Sequence, residues 1–143
     1  MEQIKQEKLL EIRDVIKTEE SRINYLRGLI RIAESDKNKT SAEEGYIYRM
    51  AEIVGASYTE IWQAENEYPL SIQFVTKQEK MLFLMQALYM CWLDDDYSNA
   101  EREEIIAIGD ELGVDPSEID EIESWIKRGI DWLKTGASLL ELE

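Results

Sequence analysis

Two stretches of this 143-residue chain decide its fold: AESDKNKTSAEEGYIYRMAEIVGASYTEI at residues 33–61 and CWLDDDYSNAEREEIIAIGDELGVDPSEI at residues 91–119. Slid over each other by 58 positions, they match in kind and spacing. Asp36 meets Asp94, Glu43 meets Glu101, Ile47 meets Ile105, Gly55 meets Gly113, and Glu60-Ile61 meets Glu118-Ile119. Ala33 with Cys91, Thr40 with Ser98, Met50 with Ile108 and Val54 with Leu112 preserve residue type. Upstream, Leu26 meets Leu84 and Ile30 meets Leu88. Each half reads as a long helix, a short polar loop, a second helix, and a Gly-ended turn into a third. Neither half is long enough to hold much core alone, so the two are expected to bury one shared core about a pseudo-twofold axis. The repeats run roughly over 22–66 and 80–124, within a single domain spanning 1–143.

Helix grammar extends the pattern outward. Ile4, Lys8, Leu9, Ile12, Val15 and Ile16 set one stripe at helical spacing, and Ile23, Leu26, Ile30 and Ala33 set another. Capping boxes are expected at Thr40/Glu43, Ser41/Glu44, Thr76/Glu79 and Ser98/Glu101. Gly55 and Gly113 read as left-handed helix ends. Ser57 to Asn66 reads as a short helix with Ile61 and Trp62 inward, and Pro69 breaks the chain after it. Residues 81–93, MLFLMQALYMCWL, are apolar on all sides. As a helix they would span about 20 Å, short of the ~30 Å of a bilayer core, so they read as a buried central helix over 77 to about 94. Asp115, Pro116 and Glu118 start a last helix, expected to run towards Leu133 with a tail after Gly136. No segment alternates as a strand does. The expectation is an all-α fold of about seven helices.

Composition narrows function. Sixteen basic against 31 acidic side chains leave a net charge of −15, which argues against nucleic acid and against docking on anionic lipid. Nothing marks membrane insertion, and the charged N-terminal stretch MEQIKQEKLLEIRDVI does not read as a signal peptide, so the cytoplasm is the expected location. One cysteine cannot form an internal disulfide, and the absence of histidine removes His-based zinc sites and histidine-activated nucleophiles. Cys91 reads as a small buried thiol. Residues 94–123 carry 13 acidic side chains and one basic, Arg102, a net of −12. That stretch suits a solvated face, a cation site, or docking of a basic protein partner.

The repeated Asp and the Glu seven residues later form the candidate site. A short turn lets Asp36 approach Glu43 and Asp94 approach Glu101, with Asn38 and Asp96 as further oxygens. Clustered oxygens suit a hard divalent cation, Ca²⁺ or Mg²⁺. The loops are not EF-hands. Ser41 and Asn99 stand where that loop needs glycine, and Ile47 and Ile105 stand where it needs a bidentate glutamate. The competing reading is structural: Glu43 and Glu101 are third-position glutamates behind Thr40 and Ser98, as capping requires. Among the aromatics, Trp92 reads as core. Trp125 and Trp132 lie seven apart on one helix side, to be packed against the first helix or left in a dimer or ligand groove. Tyr46, Tyr48 and Tyr58 are candidates to line a cleft.

The turns DDDYSNAEREEIIAIGDELG (residues 94–113) and, more loosely, DKNKTSAEEGYIYRMAEIVG (36–55) resemble the tellurite-resistance TerB-like family, over roughly residues 22–130. The shared pattern is an Asp at a helix end, a Glu seven residues on, spaced isoleucines and a Gly-ended turn. Lys37 and Asp95 stand where the family usually has Gly. The resemblance implies a helical fold of stress-related bacterial proteins, also used as a co-chaperone module, and divalent metal bound through Asp36, Glu43, Asp94 and Glu101. The expected function is a non-enzymatic module binding a cation, a protein partner or both. The alternatives are a purely protein-docking module without metal, or a carboxylate-based metal-dependent hydrolase, which would need a cleft that such short loops do not promise.

Overall fold

Five of the helices begin where a Ser or Thr side chain takes over an orphan amide of the first turn. The computed structural model describes residues 12–35, 40–67, 72–92 and 98–140. Among them lie a single helical turn, α1 (Ile12–Val15), and six longer helices: α2 (Glu19–Ala33), α3 (Ser41–Val54), α4 (Tyr58–Asn66), α5 (Lys77–Cys91), α6 (Asn99–Leu112) and α7 (Pro116–Leu139). No strand occurs among these residues. The part of the first expected helical stripe before Ile12, the expected break at Pro69 and the aspartates Asp36 and Asp94 with their neighbours lie outside the described residues.

Reciprocal capping boxes form at Thr18/Ser21, Thr40/Glu43, Ser57/Glu60, Thr76/Glu79 and Ser98/Glu101. At α7 the Glu118 carboxylate accepts from the Asp115 amide at 3.2 Å, and Pro116 opens the helix. Gly55 and Gly113 both sit at φ +77°, left-handed angles that glycine adopts without a Cβ clash. The bounds of α2 and α5, and of α3 and α6, recur at the 58-residue offset.

Helices α2 and α5 are the centre. They pack on each other; α2 also carries α3 and α4, while α5 carries α6 and α7, and α2 meets α6 as α5 meets α3. Tyr25, Leu26, Leu29 and Ile32 from α2 bury completely against Phe83, Leu84, Leu88 and Met90 from α5. The close approach explains Gly28, where a Cβ would stand 2.4 Å from the Phe83 ring. Gly109 likewise lies against Ile119, 2.6 Å from where its Cβ would be. The one polar residue in the apolar run, Gln86, accepts a hydrogen bond from the Tyr46 hydroxyl. None of the described helices is long and apolar enough to cross a membrane.

Ion pairs fasten the outer helices. Arg22 on α2 grips both Glu60 oxygens on α4, at 2.9 and 2.8 Å. Arg31 on α2 reaches Glu104 and Glu111 on α6, and Arg102 on α6 reaches Asp120 and Glu123 on α7. The Glu111 carboxylate also accepts from the Ile72 amide, which ties down the segment leading into α5.

Three expectations need correction. Helix α7 does not stop near Leu133 but runs through Gly136 to Leu139, because one interior glycine weakens a helix by only about 1 kcal/mol. Trp62 faces outward, 56% exposed, while Ile61 packs against the core. Trp92 is only partly buried at the end of α5.

Candidate metal centre

The capping glutamates of α3 and α6 converge. Glu43 and Glu101 each occupy the third position of a helix whose first turn points at the end of α5, and Cys91 is the last residue of that helix. One ligand atom from each of Glu43, Cys91 and Glu101 falls within 4.8 Å of the others. All three are buried, the two carboxylates at 1% exposure and the thiol at 0%.

Capping holds the carboxylates in place. The Thr40 amide donates to Glu43 Oε1 at 3.1 Å, and the Ser98 amide to Glu101 Oε1 at 3.2 Å. In return the Glu43 amide donates to Thr40 Oγ1 and the Glu101 amide to Ser98 Oγ, at 3.0 and 3.1 Å. An ionised carboxylate has about four acceptor sites on two oxygens, and the cap takes one. Capping and ligation are therefore compatible at the same residue, so the structural and the metal readings of Glu43 and Glu101 do not exclude each other.

The other buried capping glutamates show what sets these two apart. Glu60 faces the Arg22 guanidinium, whose hydrogen bonds hold its carboxyl below the usual carboxylate range despite burial. Glu79 takes two backbone amides, from Val75 and Thr76, at 2.8 and 3.1 Å. Glu43 and Glu101 instead face each other across a thiol. Two carboxylates and a thiol thus offer three ligand atoms to one buried point.

Of the four expected ligands, the structure thus brings Glu43 and Glu101 together, while Asp36 and Asp94 lie outside the described residues. The sequence reading missed Cys91 as a member of the cluster. The signal available was its position: it ends the apolar helix three residues before Asp94, so it must adjoin the same turn.

The cluster is enclosed rather than set in a cleft. A hollow of about 340 Å³ between α2 and α4 is lined by Glu19, Glu20, Asn24, Arg27 and Gln63, and one of about 220 Å³ lies by Glu34, Glu44 and Tyr48. A groove of about 520 Å³ follows α7 at Trp125, Gly129 and Trp132. None of these three is lined by Glu43, Cys91 or Glu101. The tyrosines do not share a cleft as expected: Tyr46 is buried with its hydroxyl pushed up in pKa by desolvation, whereas Tyr48 and Tyr58 are exposed. Trp125 and Trp132 are also exposed instead of packed. No protein-family model, curated protein or solved structure matches the chain.

Proposed function

We propose that this chain is a non-enzymatic helical module that holds a divalent cation at the junction of its two halves. Glu43, Cys91 and Glu101 are its ligands, and Asp36 and Asp94, seven residues ahead of each glutamate, are the further oxygen donors. The observation that carries the reading is the convergence of two buried carboxylates and a buried thiol within 4.8 Å. Two hard oxygens with one soft sulfur suit a borderline ion, Zn²⁺ first, better than the Ca²⁺ or Mg²⁺ that oxygens alone would favour. An enclosed cluster suits retention of an ion rather than turnover of a substrate.

The same reading takes the halves as pseudo-symmetric copies in a TerB-like arrangement. The recurrence of helix bounds at the 58-residue offset and the paired left-handed glycines support it. In such an arrangement the two acidic turns occupy equivalent places on either side of the α2–α5 crossing. That symmetry accounts for one glutamate from each half reaching one ion.

Thermal melts of chelator-treated protein, with Zn²⁺, Ca²⁺ or Mg²⁺ restored, test the reading. An ion held at 100 times its dissociation constant adds about 2.7 kcal/mol to the native state. Zn²⁺ is expected to raise Tm most, and E43Q combined with E101Q to abolish the rise. C91A is expected to lose the preference for Zn²⁺ over Ca²⁺. A Tm that none of the three ions moves would remove the cation from the function.

A further inference from the structure

From Trp125 onward, α7 carries an exposed apolar face that no other described residue covers. Trp125 is 53% exposed, Trp132 75%, Leu133 56% and Leu139 79%. The face is ordered by sequence. Trp125, Gly129, Trp132, Gly136 and Leu139 follow one another at alternating steps of four and three, the spacing of a helix–helix seam. Large and small side chains alternate along it. In the structure Trp125, Gly129 and Trp132 line one groove, closed on its other side by Tyr89 of α5.

The two glycines are the telling feature. Interior glycine is the least favourable helix residue after proline. Gly28 and Gly109 are explained by the ring of Phe83 and the side chain of Ile119, which a Cβ would strike. At Gly129 and Gly136 an added Cβ would meet nothing within 4 Å, and neither has a positive φ. Packing among the described residues does not call for them. A partner would, because a bulky knob needs a hole, and small residues in a helix surface make holes.

We infer that the α7 face is the contact of a twofold homodimer, with α7 of two copies crossing antiparallel about a point between Ile130 and Asp131. The seam is complementary to its own reverse. Running it antiparallel places Trp132 over the partner's Gly129 and Trp125 over the partner's Gly136, and the twofold repeats both contacts. Each knob thus meets a hole and each hole a knob, the self-complementarity that an isologous interface demands.

Area agrees with a second copy as the occupant. The exposed Trp and Leu side chains on this face offer roughly 600 Å² per chain, close to the ~800 Å² per partner of a standard interface once neighbouring atoms are added. The chain is strongly acidic, yet residues 127–134 hold Lys127, Arg128 and Lys134 against Asp131 alone. In this register Lys127 faces the partner's Lys134, so charge along this stretch opposes the contact and the apolar seam has to supply it.

Sedimentation equilibrium of the full chain across the micromolar range tests the inference. The expected result is a dimer of twice 16.7 kDa that tightens with added salt, because salt screens repulsion between two acidic protomers. W132A removes a knob and G129L fills a hole that has free space in the single chain. Both are expected to halve the mass while keeping far-UV helicity and cooperative melting. G45A is the control, since its Cβ also meets open space but lies on another helix, and it is expected to stay dimeric.

Three outcomes would overturn the dimer. One is a chain that is monomeric at every concentration with Trp fluorescence open to iodide. Another is a monomer whose tryptophans are shielded, which would assign the groove to another segment of the same chain. The third is a dimer indifferent to both W132A and G129L, which would place the contact elsewhere.

Discussion

Glu43, Glu60, Glu79 and Glu101 hold the same position, third in a helix behind a Ser or Thr cap, and each is at most 6% exposed. Their partners decide what they do. Glu60 is neutralised by an arginine and Glu79 by two amides, so both are spent on structure. Glu43 and Glu101 are turned on each other. In metal-free protein, Glu43→Gln is expected to leave stability within about 1 kcal/mol of the parent, since Gln still serves in a capping box. The same change should weaken the cation-dependent rise in Tm. Thermal denaturation in chelator, set beside the melt with Zn²⁺, checks both. A rise in Tm with Zn²⁺ that Glu43→Gln leaves intact would remove Glu43 from the ligand set. Capping was legible in the sequence here because it is a three-residue pattern. The meeting of Glu43 with Glu101, 58 residues apart, was not read from the sequence, which paired each glutamate with the aspartate seven residues before it.

At the scale of the helices, the glycines divide by what surrounds them. Gly113 ends α6 at φ +77°, so Gly113→Ala is expected to destabilise by about 1 kcal/mol through a strained left-handed alanine. Gly45 sits inside α3 with open space beside it, so Gly45→Ala is expected to stabilise by up to about 1 kcal/mol. Urea unfolding of the two variants beside the parent chain measures both signs. Apolar periodicity located every long helix among the described residues. It failed at the end of α7, where Gly136 looked like a stop. A glycine ends a helix when the next residues bond back to the last carbonyls from a left-handed turn, as at Gly55 and Gly113. At Gly136 the helical bonds simply continue, and the Leu140 amide donates to its carbonyl. Trp62 misled for a related reason, and Trp125 and Trp132 stayed open between packing and a groove: an apolar side chain on a helix names a face, not the neighbour that covers it.

The whole molecule is held by ion pairs laid over a two-helix core, and its response to acid follows from them. Hydrogen bonds from Arg22 and Arg31 hold the Glu60 and Glu111 carboxyls below their ordinary pKa. Their stabilisation is complete above the unfolded value of about 4.3 and is lost as pH falls through the lower folded values. Acid unfolding is therefore expected to steepen below about pH 4, after a broad maximum near pH 5, where the general repulsion of a −15 chain has eased. Arg22→Met should cost about 1.5–3 kcal/mol at pH 7, the range for hydrogen bonds to charged groups, and should flatten that acid limb. Melting temperatures from pH 3 to pH 8 for both proteins decide it, and an acid limb unchanged in Arg22→Met would sink the assignment.

What the residues determined alone is local: the all-helical class, the caps, the left-handed glycine ends, the buried run of α5 and the distribution of charge. Each depends on residues within a few positions of one another, where backbone geometry translates spacing directly into contact. What tertiary packing decided is which faces meet. It enclosed Cys91 with Glu43 and Glu101, turned Glu60 to Arg22, and left one side of α7 bare. Such outcomes depend on how α2 and α5 cross, and the approach of Gly28 to Phe83 that permits this crossing joins residues too far apart in the chain for spacing to report.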